Sequence, residues 1–132
     1  MAYVINHVHI RSAEPRASAA WYEKHFGAKI VSEREVMPGT ITIGMQMGGS
    51  TRLNVSSRPK GASGPRAVAE LNRLGLEHFG FDVDDLKAEL DRLGKAGVRI
   101  VLPSTDVVGG TRLAYIEGPD DVLIELVQRP RA

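Results

Sequence analysis

The sequence predicts an α+β fold built from two tandem βαβββ modules. Three observations support this prediction. The order strand, helix, strand, strand, strand occurs twice along the 132 residues. A segment rich in glycine, proline and arginine, RPKGASGPR, separates the two runs. Polar residues also recur at a fixed spacing in equivalent strands. We expect one domain over residues 1–132, with module 1 at about 1–57, a linker at 58–73 and module 2 at about 74–130.

The first module begins with YVINHVHI, a segment rich in β-branched residues that is typical of a strand. Pro15 suits the first turn of a helix, where its missing N–H would have no partner anyway. Gly27 suits the left-handed position after the helix ends. The side chains predicted to line the buried side of this helix are Ala17, Ala20, Trp21 and Phe26. The strands predicted to follow are AKIVSEREV, TITIGMQM and TRLNVSS.

The second module repeats this order. AVAELNRLG predicts a short helical turn before it, and LEHFGFDV predicts its first strand. Asp84 is the expected N-cap of the next helix. That helix is predicted from a stripe of leucines spaced i, i+4 and i+7, namely Leu86, Leu90 and Leu93. The last three predicted strands are VRIVLPS, TRLAYIEG and VLIELVQ.

Composition limits the function classes. Hydrophobic residues make up 42% and charged residues 25%, which is ordinary for a soluble globular protein. Seventeen basic and sixteen acidic side chains leave a net charge of +1, which gives no electrostatic reason to expect nucleic acid or a membrane as partner. The absence of cysteine excludes disulfides and thiolate metal sites. The sequence contains no signal-peptide pattern or long apolar run, so a cytoplasmic location is expected.

An internal repeat gives the sharpest signal. The interval along the chain from His7 to His78 is the same as the interval from Asn54 to Glu125. The local strings match as well, with INHV against LEHF and LNV against IEL. A duplicated module related by an approximate two-fold axis explains this match, and it would bring equivalent polar side chains toward one centre.

Glu125 lies in VLIELV, where every near neighbour is apolar. A buried carboxylate costs several kcal/mol unless a partner offsets it. Taken alone, Glu125 also fits an exposed edge position or an ion pair with Arg52 or Arg112. Together with His7 and His78 it forms a set of two histidines and one carboxylate, which suits Ni, Zn, Mn, Fe or Co and leaves coordination positions open. The sequence therefore predicts one divalent metal ion per site.

Further polar residues extend this predicted site. His9 faces the same side of the strand as His7, so it is a candidate ligand, a hydrogen-bond partner of a ligand, or a general base. Asn54 is a candidate fourth ligand or substrate contact. An anionic substrate would suit Arg52, Arg112 and Tyr115 as pocket residues, although both arginines also fit solvated strand ends.

The chain resembles the vicinal oxygen chelate superfamily, the fold of glyoxalases, bleomycin-resistance proteins and extradiol dioxygenases. The matching segments are INHVHI with AAWYEKHFGAKIV, LEHFGFDVDDLKAELDRLGKAGVRI, and GGTRLAYIEGPDDVLIEL. The resemblance implies a curved half-barrel around the metal, with ligand positions at His7, Asn54, His78 and Glu125. Asn54 is shorter than the side chains that glyoxalase I enzymes carry at this position. The resemblance also implies a homodimer whose sites are shared between chains.

The function that the resemblance implies is glyoxalase-like lyase or isomerase chemistry on a small substrate chelated through adjacent oxygens. Glu125, on leaving the metal, or His9 would serve as the catalytic base. Two alternatives stay open from the sequence. One is an extradiol-type dioxygenase that uses iron or manganese, and the other is a metal-independent protein that binds drugs or other small molecules.

Overall fold

The computed structural model describes residues 2–131 and confirms the α+β class with two βαβββ modules. The first module contains β1 (His7–Arg11), α1 (Pro15–Phe26), β2 (Lys29–Arg34), β3 (Thr42–Gln46) and β4 (Arg52–Ser56). The second contains β5 (Phe79–Asp82), α2 (Leu86–Lys95), β6 (Ile100–Asp106), β7 (Arg112–Gly118) and β8 (Val122–Gln128). The chain forms two compact units that divide between Pro65 and Arg66, inside the predicted linker. Within residues 2–131, the helices are too short or too polar to cross a membrane.

The two sheets have the same topology. Each has four strands, in the orders β1-β4-β3-β2 and β5-β8-β7-β6. The first and fourth strands of each module run parallel, and the other neighbours are antiparallel. His9 is the register partner of Asn54, and Gly80 is the partner of Glu125. His9 precedes Gly80 by the same interval as Asn54 precedes Glu125, so the pairing register repeats with the sequence. This agreement supports the duplication inferred from sequence.

The first sheet packs one face against α1. The buried side chains on this face are Ile10, Ile43, Met45, Leu53 and Val55. Pro15 begins α1 and Gly27 follows it in the left-handed conformation with φ 65°, both as predicted. The prediction of the buried helix side was wrong, because the buried residues are Ser18, Ala19 and Tyr22.

The error has a physical cause. The buried stripe of α1 contains Ser18, whose Oγ lies 2.9 Å from the Oγ of buried Ser12. A serine can occupy a buried position when its hydroxyl has such a partner, but a pattern of apolar residues does not reveal it. Of the four predicted residues, Ala17 and Ala20 are exposed, and Trp21 and Phe26 are half-buried.

The second sheet packs against α2. Leu86 and Leu93 are buried as the leucine stripe predicts, and Leu90 is half-buried. The sheet residues buried in this unit include Ala114, Ile116, Leu123, Ile124 and Leu126. Glu125 therefore lies between buried neighbours on β8, with its own side chain directed away from Ile124 and Leu126.

Three local predictions were wrong. Residues 67–75 form no helix, and Asn72 and Gly75 adopt left-handed φ values of 70° and 89°, through which a helix does not continue. The N-cap of α2 is Asp85, whose carboxylate accepts the backbone N–H of Ala88 at 3.1 Å, and not Asp84. The first strand of each module is shorter than predicted, since β1 begins at His7 and not at Tyr3, and β5 begins at Phe79 and not at Leu76.

This assignment of the cap can be tested by mutagenesis. We expect Asp85→Ala to lower the free energy of unfolding by about 1 kcal/mol, because the N–H of Ala88 loses its acceptor. Asp84→Ala is the matched control and should change stability by less than about 0.5 kcal/mol, the usual range for surface substitutions. Urea denaturation followed by circular dichroism measures both values. An equal loss in the two variants would contradict the assignment.

Candidate functional site

The predicted ligands are divided between the two units. His7 lies at the start of β1 and Asn54 on β4, both in the first unit. His78 lies directly before β5 and Glu125 on β8, both in the second unit. Over residues 2–131, no three histidine, aspartate or glutamate side chains form one group with metal-binding geometry. Each unit is therefore described by itself.

His78 and Glu125 are brought together in the second unit. Their nearest atoms, Nε2 and Oε2, are 3.8 Å apart, and the side chains are 27% and 19% exposed. Gly80, the register partner of Glu125 on β5, makes room for this carboxylate. A Cβ added at Gly80 would lie only 3.3 Å from the Glu125 Cβ and 3.4 Å from its Oε1. The glycine thus permits the close approach of Glu125 to β5.

The side chain of Glu77 orients the His78 ring. Its Oε1 lies 2.7 Å from His78 Nδ1, and its Oε2 accepts the backbone N–H of Asn72. The Asn72 N–H and then the bond to His78 hold the pKa of Glu77 below its ordinary value, so this carboxylate stays ionised. An ionised carboxylate accepts the Nδ1 proton of His78. The lone pair of a neutral His78 is therefore on Nε2, the nitrogen that faces Glu125.

Tyr115 holds the Glu125 carboxylate from the other side. The two residues are register partners between β7 and β8, and the Tyr115 hydroxyl donates to Glu125 Oε2 at 2.8 Å. Burial first, and then the bond to Glu125, raise the pKa of the Tyr115 hydroxyl, so it remains a donor at neutral pH. The ring also meets the His78 ring edge to face, with centroids 5.0 Å apart. Tyr115, which the sequence predicted as a substrate contact, is therefore hydrogen-bonded to Glu125.

His7 repeats the arrangement of His78. Its Nδ1 lies 3.0 Å from Oδ1 of Asn6, the preceding residue. Because an amide oxygen only accepts, this bond puts the His7 proton on Nδ1 and the lone pair on Nε2. Both predicted imidazole ligands therefore present Nε2 as their acceptor, each oriented by the side chain that precedes it. Sequence reasoning missed this role of Asn6 and Glu77, although the strings INHV and LEHF contain both residues at equivalent positions.

His9 is held differently. Its Nε2 lies 2.5 Å from Oγ of buried Ser56, which also accepts a bond of 3.1 Å from Arg11 Nη1. Partial burial, followed by the charges of Arg11 and His7, lowers the pKa of His9. Of its two ring nitrogens, Nε2 is thus already engaged within the protein, which distinguishes His9 from His7.

The remaining predicted residues lie around these groups. Asn54 is half-buried opposite Gly44, the position equivalent to Tyr115. Arg52 is exposed on β4, and Arg112 is exposed in an ion pair with Asp106 at 3.0 Å. The partners observed for Glu125 are His78 and Tyr115, and neither arginine is among them.

These donors fit a first-row divalent ion. His78 supplies an oriented imidazole nitrogen, Glu125 supplies a carboxylate beside it, and Glu77 supplies the outer carboxylate that commonly fixes a metal-binding histidine. Nitrogen and carboxylate donors of this kind suit Zn, Fe, Mn, Co or Ni.

Comparison with known proteins gives the family. The model of the Glyoxalase/Bleomycin resistance protein/Dioxygenase superfamily matches residues 4–126. The chain is 26% identical to a lactoylglutathione lyase of Pseudomonas aeruginosa, over 96% of this chain and 82% of that protein. It is 28% identical to an ethylmalonyl-CoA/methylmalonyl-CoA epimerase of Cereibacter sphaeroides, over 94% and 96% of the two chains.

Solved structures agree on the fold. A glyoxylase/bleomycin resistance protein/dioxygenase domain from Frankia sp. EAN1pec superposes with a TM-score of 0.76 at 19% identity, covering 98% of this chain and all of that one. The match over residues 4–126, together with this fold, shows that the chain belongs to the Glyoxalase/Bleomycin resistance protein/Dioxygenase superfamily.

Proposed function

We propose that the chain is a divalent-metal-dependent enzyme of the glyoxalase type, with lyase or isomerase chemistry. The observation that carries this proposal is the geometry of the second unit, where His78 Nε2 faces Glu125 Oε2 at 3.8 Å while Glu77 holds the other ring nitrogen. An imidazole held in this way, beside a carboxylate, is a common half of a metal site. The third ligand is His7, whose Nδ1 is held by Asn6 in the same manner.

The chemistry follows from the family and from the residues around Glu125. A bound divalent ion would supply Lewis-acid stabilisation of charge developing on adjacent substrate oxygens. The two curated relatives named above are a lyase and an epimerase, and both names fit reactions that move a proton next to a carbonyl. This is why lyase or isomerase chemistry is favoured over dioxygenation.

Glu125 is the favoured proton acceptor in this proposal. Its carboxylate forms no ion pair with arginine or lysine in residues 2–131 and keeps 19% of its side chain accessible. Tyr115 donates to one of its oxygens and keeps it oriented. His9 is the weaker candidate because Ser56 engages its Nε2.

The proposal is tested by metal content and turnover. We expect purified protein to bind one divalent ion per chain, and His7→Ala to lose it, whereas His9→Ala and His25→Ala retain it. His25 is the matched control because it lies on α1 and packs against Trp21. Elemental analysis measures the metal after loading with nickel, zinc, manganese or iron.

Turnover is then measured with methylglyoxal plus glutathione, and with a catechol under oxygen. Product from the first mixture that depends on His7 supports the proposal. Product from the catechol alone would favour the dioxygenase alternative, and ligand binding without any metal would favour the binding protein.

A homodimer is part of the same proposal. Large apolar side chains are exposed at two equivalent positions of the repeat, Tyr3 with Leu74 and Ile5 with Leu76. Tyr3 and Ile5 are 89% and 75% exposed, and Leu74 and Leu76 are fully or almost fully exposed. Exposed large apolar residues that lie close together in one segment, as they do in each unit, are typical of an interface.

We expect light scattering to give the mass of a dimer, and Leu74→Asp with Leu76→Asp to weaken it by about tenfold or more. The matched control is Val108→Asp, since Val108 is equally exposed but lies in a loop between β6 and β7. A monomeric wild-type chain would contradict this part of the proposal.

A further inference from the structure

The face of the first sheet opposite α1 is polar throughout. Register pairing places three rows of side chains on this face, which we name the polar face. The rows are His7–Arg52–Gln46–Lys29, His9–Asn54–Gly44–Ser32 and Arg11–Ser56–Thr42–Arg34. Residues that are direct register partners share one side of a sheet, so all of these positions share the face. None of them is a large apolar residue.

The charge on the polar face is of one sign. It carries Arg11, Lys29, Arg34 and Arg52, and no aspartate or glutamate. All four cationic side chains are exposed, and none has an ion-pair partner within residues 2–131. By contrast, Arg16, on the helix that packs behind this sheet, pairs with Glu33 at 2.7 Å. The polar face therefore has an unbalanced positive charge in a chain whose net charge is only +1.

The second sheet shows that the fold does not require this charge. Its equivalent rows are Leu123–Glu117, Gly80–Glu125–Tyr115–Leu102 and Asp82–Val127–Leu113–Thr105. These rows contain three carboxylates. The first row continues to Arg99, the position equivalent to Lys29, and this arginine is paired with Glu117 at 2.6 Å. Two sheets with the same topology thus carry opposite net charge on equivalent faces, so the excess of unpaired cations is particular to the first sheet and is not a requirement of its topology.

The centre of the polar face offers hydrogen bonds without charge. Gly44 has no side chain, and a Cβ there would lie 2.6 Å from Ser32 Oγ and 3.6 Å from Asn54 Oδ1. Ser32 and Asn54 are half-buried, and neither side chain has a hydrogen-bond partner among the described residues. Both can therefore donate to and accept from a bound molecule.

The dimensions indicate the kind of ligand. Strands lie about 4.8 Å apart, so β1 and β2 at the two edges are about 14 Å apart, and the outer rows are about 13 Å apart. The four cations therefore surround the uncharged central row, with about 13 to 14 Å between opposite sides. One small anion could not reach more than one or two of them, whereas an extended molecule with two or more negative groups could reach several.

We infer that the polar face binds the anionic part of the substrate, and that this substrate is an extended small molecule with at least two negative groups, either phosphates or carboxylates. The inference rests on the proposed function for identifying the ligand as substrate, because His7 lies in the same row as Arg52 and Lys29. Arg52 contacts the negative group nearest to His7, and Lys29 or Arg34, which lie at the two ends of β2, contacts a group at the far edge. A patch of four cations offers too few phosphate contacts for stable binding of nucleic acid at physiological salt.

The test uses inorganic pyrophosphate and citrate as probes, titrated by calorimetry into the purified protein at low salt. We expect binding of at least one probe, weakened about tenfold in a variant with Lys29→Gln and Arg34→Gln, and weakened further as ionic strength rises. The matched control carries Lys24→Gln and Lys60→Gln, which removes the same charge from α1 and the linker loop and should leave the affinity unchanged. Chemical-shift changes of backbone amides should map to β1, β2, β3 and β4.

The outcomes are distinct. Preference for pyrophosphate assigns phosphate groups to the substrate, and preference for citrate assigns carboxylates. Binding of neither probe, or equal binding by the two double variants, overturns the inference. Tighter binding of a single-stranded DNA oligonucleotide that the Lys29 and Arg34 changes abolish would also overturn it, in favour of nucleic acid.

The same titrations on His78→Ala separate this inference from the proposed function. His78 lies in the second unit and outside the polar face. Probe binding that persists in His78→Ala, while this variant loses metal, supports both proposals independently. If the protein binds a probe but never holds metal, the anion site is supported and the metalloenzyme proposal is contradicted. If it holds metal but binds no probe, the metalloenzyme proposal is supported and the anion site is contradicted.

Discussion

Replacement of Glu125 by glutamine is expected to lower the affinity for a divalent ion by about 100-fold or more, since loss of an outer hydrogen-bond partner alone costs about 10- to 100-fold. An amide has no charge and is a weak ligand, but its oxygen still accepts the bond from Tyr115, so the strand pairing of β7 and β8 should survive. Competition with a coloured chelator measures the affinity. Turnover should fall at least as much, because the same carboxylate is the favoured proton acceptor.

Glu117→Gln is the matched control for this change. Glu117 is a half-buried carboxylate on the neighbouring strand β7, where it binds Arg99 at 2.6 Å. In the register it lies beside Leu123 and not beside Glu125, and its observed side-chain partner is Arg99 and not His78. Unchanged metal affinity in Glu125→Gln, or an equal loss in Glu117→Gln, would contradict the assignment of Glu125 as a ligand.

Removal of the Glu77 side chain has the second largest expected effect. In Glu77→Ala the His78 ring loses the acceptor that fixes its proton on Nδ1, and we expect the metal affinity to fall by about 10- to 100-fold. Glu77→Gln should fall between the wild type and Glu77→Ala, because the amide oxygen can still accept the Nδ1 proton but has no charge. The chelator competition used for Glu125 measures all three proteins.

A control is needed because Glu77 also stabilises the loop that precedes it. Glu77 accepts the N–H of Asn72, so its loss could loosen residues 72–77 without acting through His78. Direct measurement of the His78 tautomer by nitrogen-15 NMR separates the two effects. Glu70→Ala, an exposed change in the same loop, should leave both the affinity and the tautomer unchanged. A lower affinity in Glu77→Ala without any change at His78 would show that Glu77 does not act by orienting this ring.

Local features of the fold could be predicted where one short segment contains the whole signal. Pro15 marks the start of α1 and Gly27 its end, because the backbone preference of each residue favours that position. The buried face of α1 could not be predicted, because Ser18 is buried only through its contact with Ser12. The choice between Asp84 and Asp85 as N-cap likewise depends on the φ/ψ values that the chain adopts as it leaves β5.

The sequence by itself determined the duplication and the candidate ligands, because the equal spacing of matching strings and the chemistry of histidine and glutamate are properties of the chain alone. Only the tertiary structure decided which atoms are available. In the structure, Tyr115 is hydrogen-bonded to Glu125, and Nε2 of His9 is hydrogen-bonded to Ser56. Four cationic side chains also lie on one face of the first sheet. The physical reason is strand register, which brings together residues distant in sequence and which no local pattern along the chain specifies completely.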